Sequence, residues 1–117
     1  MTARPEILEV ERIADGVRLE LRIPSDLRYL PDHFPRFRMV PGVVQLAWAF
    51  AYAAEHLGAT APFRRIAALK FQHPLLPGDR ARLRLTRVAG GEVAFAYEKG
   101  ERACSGGRIV FAAPGAR

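Results

Sequence analysis

Residues 7–13 and 17–23 largely alternate apolar and polar side chains on either side of Asp15-Gly16. Alternation of this kind marks half-buried strands, and Asp-Gly between two such runs predicts a hairpin. Pro24-Ser25-Asp26 ends the second run. Residues 27–38, with Pro31, Pro35 and the aromatics Tyr29, Phe34 and Phe37, then read as an ordered loop. Over residues 39–58, MVPGVVQLAWAFAYAAEHLG, the pattern changes to apolar side chains pointing in many directions around a helical axis. Pro41 and Gly42 open this helix, because a first-turn proline gives up an N–H that has no intrahelical partner. Gly58 closes it where a left-handed cap is needed. A helix apolar on nearly all sides has to be covered on most of them.

After a connector at residues 59–63, alternation returns. It predicts strands over 65–73, 81–88, 93–97 and 102–112, the last kinked at Gly106-Gly107. Turns fall at 74–79, Gly90-Gly91 and 99–101, and residues 113–117 read as a loose tail. Two strands, one helix and four strands make an α+β domain whose curved antiparallel sheet wraps the helix. One such domain accounts for residues 1–117. A sheet covered by a single helix leaves an edge strand and some apolar helix surface open, and a homodimer would cover both.

Half of the 117 residues are hydrophobic, enough to build a core and against disorder. The first residues, MTARPEILEVE, carry acids where a secretory signal would be apolar. The helix is too short, and too interrupted by Gln45, Glu55 and His56, to cross a bilayer. The lone Cys104 reads as a small buried strand residue, as suits a reducing compartment. These features point to a cytoplasmic chain with no membrane partner.

The formal charge is +6, and sixteen of the eighteen basic residues are arginine. Such a charge suits nucleic acid, an anionic membrane or an acidic protein. No run of five like charges, RNA-binding aromatic motif or zinc-finger spacing accompanies it, which argues against nucleic acid. The sequence offers no ligand cluster for a metal.

Two segments carry candidate chemistry. One is His33-Phe34-Pro35, eight residues ahead of Pro41-Gly42-Val43; the other is Pro74-Leu75-Leu76-Pro77-Gly78-Asp79. Together with the order of elements, they resemble the hotdog-fold 3-hydroxyacyl-acyl-carrier-protein dehydratases. In that family an H-F-P loop precedes a P-G-V helix start, and a later strand runs into a P-x-x-P-G-D turn. The run Val43–Ala49, VVQLAWA, is closer to the branch found with aryl polyene pigment synthesis.

The resemblance implies dehydration of a 3-hydroxyacyl thioester, on an acyl carrier protein, to the 2-enoyl thioester. His33 would be the general base, and the chemistry suits a group that titrates near neutrality. The amides of Gly42 and Val43 would hold the thioester oxygen as it gains negative charge, a task fitted to the free N–H groups of a helix start. No cofactor is called for, since phosphopantetheine arrives on the carrier. Arg36, Arg38, Arg64 and Arg65 would form a basic rim for that carrier, or else an ordinary solvated face.

One position departs from the family. Its members carry Asp or Glu fourteen residues after the motif histidine, paired across the dimer with the partner's histidine; here that position is Ala47. Asp32 and Glu55 are the candidate substitutes. Trp48 and Tyr52 read as packing residues, Asp79 as a turn former, and His56 and His73 as structural or exposed. Two other readings stand beside the dehydratase: a catalytically impaired acyl-thioester-binding subunit in a heterodimer with a paralogue, and an acyl-thioesterase of the same fold.

Overall fold

A computed structural model of the chain describes residues 4–25 and 39–112. Among the described residues, six strands form one antiparallel sheet: β1 (Glu6–Ile13), β2 (Gly16–Arg22), β3 (Phe63–Phe71), β4 (Arg80–Val88), β5 (Glu92–Lys99) and β6 (Arg102–Phe111), in the order β1-β2-β4-β5-β6-β3. The helix α1 (Gly42–Leu57) packs on one face of it. The inner rows of the sheet explain the alternation. Val17, Leu85 and Phe95 lie side by side, as do Leu19, Leu83 and Tyr97, and all six are buried. Each large apolar side chain so covered contributes about 1.5–3 kcal/mol. The first row ends at Gly107, where a β-carbon would lie 3.2 Å from the Phe95 ring. Glycine there makes room for the aromatic. β6 therefore runs unbroken through Gly106-Gly107, and the irregularity falls on β3 opposite, as a bulge at residues 67–70 in which Ala68 takes φ 55°.

The outer face carries charges in register. Glu20, Arg82 and Glu98 stand in one row, with Arg82 Nε 2.8 Å from Glu20 and Arg84 also paired to Glu98. These partly exposed pairs keep that face polar more than they stabilise it.

Two boundaries move from their expected places, each for a steric or hydrogen-bonding reason. The hairpin turns at Ala14-Asp15, with Asp15 in the left-handed region (φ 59°), and Gly16 already belongs to β2. Gly16 is small for another reason: a β-carbon there would overlap the Leu85 carbonyl oxygen on the neighbouring strand. β3 begins and ends two residues earlier than the sequence pattern suggests. Its end is set where the Gln72 and His73 N–H groups both turn to the Cys104 carbonyl, at 2.8 and 3.1 Å.

α1 starts at Pro41 in extended geometry and ends at Gly58 in the left-handed conformation (φ 66°), as the punctuation predicted. Its inner face buries Gln45, Trp48, Ala49, Tyr52, Ala53 and Leu57. Its outer face is bare: Val43 is 73% exposed, and Ala47 and Phe50 are exposed as well. The Phe50 ring meets Phe63 of β3 at 6.0 Å, so the bare helix face continues onto the β3 edge, where Leu69 and Phe71 are also exposed. The other edge, β1, carries Glu6, Glu9, Glu11 and Arg12, charges that discourage strand pairing. No helix among the described residues is long and apolar enough to cross a membrane.

Candidate active site

The start of α1 is capped by Pro41, which has neither an N–H nor a polar side chain to offer. The N–H groups of Val44 and Gln45 turn back to the Pro41 carbonyl, at 3.0 and 3.1 Å. Among the described residues, the amides of Gly42 and Val43 meet no acceptor. Gly42 lines a pocket of about 250 Å³ whose walls also include Met39, Gln45, Phe71 and His73. Unpartnered N–H groups at a helix start carry the positive end of the helix dipole, which favours an oxygen bearing negative charge. Gly42 is needed here for a reason the sequence did not display: a β-carbon would lie 2.5 Å from the tip of the Phe71 ring.

Behind the amides lies a buried polar knot. The Gln45 side chain donates through Nε2 to the Val40 carbonyl (3.1 Å), and its Oε1 accepts from the Ser105 hydroxyl (2.6 Å). Tyr97 donates to the Gln45 main-chain carbonyl at 2.7 Å, and burial pushes its phenol pKa well up, so it stays a donor. None of the three stands out in the sequence as a site residue; a glutamine inside an apolar helix is the one signal it offers.

The other predicted residues are spread. His33, Asp32, Arg36 and Arg38 lie outside the described residues. Glu55 lies thirteen residues beyond Gly42, about 20 Å along the helix. Its carboxylate is 2.8 Å from Arg4, whose guanidinium holds its pKa below the usual value and stacks 4.7 Å over the Tyr52 ring. That role fastens the chain's start to α1; a carboxyl held ionised is poorly suited to giving up a proton. Arg64 and Arg65 stand at the beginning of β3, about 20 Å from the pocket at its Phe71 end. Basic side chains nearer the pocket are Lys99 and Arg102, which with His73 line an open basin of about 590 Å³ sharing Gln72 and His73 with it. Asp79 forms its turn, accepting from the Leu76 N–H at 2.8 Å and from Lys99 at 2.9 Å.

Residues 9–108 match the family model of the ApeI-like dehydratases, described as ApeI dehydratase. The chain belongs to this family. It is 30% identical, over 96% of its own length and 84% of the relative's, to the 3-hydroxyacyl-acyl-carrier-protein dehydratase FabZ of Natranaerobius thermophilus. Among solved structures it is similar to the dehydratase heterocomplex ApeI:P of Xenorhabdus doucetiae (27% identity, TM-score 0.84, 95% of this chain and 100% of that one). It is also similar to an uncharacterized protein of Erwinia carotovora subsp. atroseptica (32% identity, TM-score 0.80, 94% and 97% covered). The sheet and the helix packed on it are thus the hotdog fold of these dehydratases. Within this ApeI-like chain, Ala47 stands on the bare face of α1, opposite the buried Gln45.

Proposed function

We propose that this ApeI-like chain dehydrates a 3-hydroxyacyl thioester, delivered on an acyl carrier protein, to the trans-2-enoyl thioester in fatty-acid-like or aryl polyene synthesis. The observation that carries the reading is the helix start itself: no side chain caps it, the Gly42 and Val43 amides meet no acceptor among the described residues, and Gly42 lines a pocket. His33, by its motif, takes the C2 proton. The thioester oxygen gains charge and is held by the two amides. The C3–O bond then breaks as C2=C3 forms, and the hydroxyl leaves as water with the proton that the imidazole returns. One histidine can make both transfers because its pKa lies near neutrality. No cofactor enters; the phosphopantetheine arm belongs to the carrier. The acidic carrier is met by basic side chains, for which Arg36, Arg38, Arg64 and Arg65 are the sequence candidates and Lys99 and Arg102 stand near the pocket.

A second subunit covers the bare face of α1 and the β3 edge, where Val43, Phe50, Phe63 and Leu69 are exposed. Ala47 on that face favours one variant of the reading, a heterodimer in which a paralogous partner brings the missing acid. Similarity to a dehydratase heterocomplex supports it.

The test is to incubate the purified protein with a 3-hydroxyacyl carrier thioester and follow the acyl chain by intact-protein mass spectrometry, with His33→Ala alongside. Loss of one water that depends on His33 supports the dehydratase. Release of the free carrier thiol instead identifies a thioesterase. No change in the wild type, with water loss appearing in Ala47→Asp, points to the impaired subunit of a heterodimer.

A further inference from the structure

Gln45 and Ser105 are both buried, and they bond to each other. Gln45 is only 4% exposed. Burying a carboxamide is costly unless its bonds are made, and an aliphatic side chain would fill the same space without that cost. What Gln45 adds is geometry. It reaches back five residues to the Val40 carbonyl, just ahead of Pro41 and Gly42. The Val40 N–H in turn donates to Leu75 at 2.8 Å. Through Ser105 on β6 and Tyr97 on β5, the same residue ties the helix entrance to two strands. The orientation of the carboxamide follows from its neighbours. A carbonyl can only accept, so the NH₂ faces Val40 and the oxygen faces the Ser105 hydroxyl.

An ordinary helix start is held by a Ser, Thr, Asp or Asn cap whose oxygen accepts from the N2 or N3 amide. At this helix such a cap would compete for the Val43 amide, at N2, which a thioester oxygen needs. Pro41 cannot serve, and the entrance is fixed from the carbonyl side instead. We infer that Gln45, locked by Ser105, is a positioning residue that aims the Gly42 and Val43 amides at the thioester oxygen while leaving both unoccupied. The inference rests on the dehydratase reading for its link to turnover. Its geometric content can be read without turnover.

The experiment compares wild type, Gln45→Met, which keeps the side chain's length but loses both of its bonds, and Ser105→Ala, which removes one. Initial rates are taken with a 3-hydroxyacyl carrier thioester. In parallel, the ¹⁵N amide resonances of Gly42 and Val43 are followed as crotonyl-pantetheine is added. Gln45→Met should lower kcat by about 10–100-fold, since misaimed donors lose transition-state stabilisation, with KM changed less than about twofold. Ser105→Ala should lower kcat by about tenfold, the equivalent of one lost hydrogen bond. Both variants should shrink the ligand-induced movement of the two resonances. A folded Gln45→Met with wild-type kcat and wild-type shifts overturns the inference. If Gln45→Met fails to fold, Ser105→Ala decides by the same two readouts. If the wild type forms no enoyl product, the dehydratase reading fails, and the positioning role stands or falls on the resonances.

Discussion

The tip of the Phe71 ring occupies the space that a side chain at Gly42 would need, 2.5 Å from the ideal β-carbon position. The end of β3 and the start of α1 therefore meet through an aromatic edge and a bare α-carbon. Phe71 is 53% exposed, so its ring has room to turn away. Gly42→Ala should displace it rather than unfold the chain. At the first helical position the methyl recovers part of glycine's backbone penalty, and stability should change by no more than about 1 kcal/mol. Turnover should fall, because the displaced ring shifts a wall of the pocket. Thermal unfolding and initial rates on one preparation check both halves; an unchanged rate would show that the ring's place is immaterial.

Gly16 offers no such escape. The overlapping atom is the Leu85 backbone carbonyl, inside the β2–β4 ladder. Gly16→Ala should cost about 3 kcal/mol or more, in the class of substitutions that strain a packed backbone. Urea titration measures it, and a loss under 1 kcal/mol would contradict the close approach.

Arg4 and Glu55 form a partly exposed ion pair, and such pairs contribute about 0.2–1 kcal/mol. The pair lowers the Glu55 pKa in the folded state. Its stabilisation is therefore present above the ordinary carboxylate value of 4.5 and is lost as pH falls through the lower folded value. Wild type should exceed Glu55→Gln by that amount at pH 7, and the gap should close on acidification below pH 4.5. Turnover of the two proteins should be the same, since Glu55 is held far from the helix start. A large loss of kcat in Glu55→Gln would restore it as a substitute acid.

Leu69, exposed on the β3 edge, supplies the test of the second subunit. Leu69→Lys puts a charge where the proposed partner would pack. Light scattering after size exclusion should report a monomer, with far-ultraviolet circular dichroism unchanged. A persistent dimer would move the interface away from β3.

The strands were legible because their inner rows, such as Leu19 beside Leu83 and Tyr97, leave a period of two in the chain. The helix ends were legible because Pro41 and Gly58 act locally. Features set by partners distant in sequence were not. Gly16 read as a turn residue, whereas a carbonyl sixty-nine positions on demands its smallness. The Glu55 carboxylate is committed to a residue fifty-one positions earlier. β3 was misplaced by two residues because its bulge and the fork onto Cys104 depend on β6. At the site, the motif marks Gly42 and Val43 as candidates; Gln45 reads only as an interruption of an apolar run, because its two side-chain partners are invisible in a helical pattern.

Trp48, the single tryptophan of the chain, sits mid-helix and is buried on the inner face of α1. Its fluorescence is therefore a built-in optical gauge of helix docking, with no contribution from an indole anywhere on the sheet. Emission that reddens before the strand signal in circular dichroism is lost would report the helix leaving a still-paired sheet. Coincident changes would show that helix and sheet come apart as one cooperative unit.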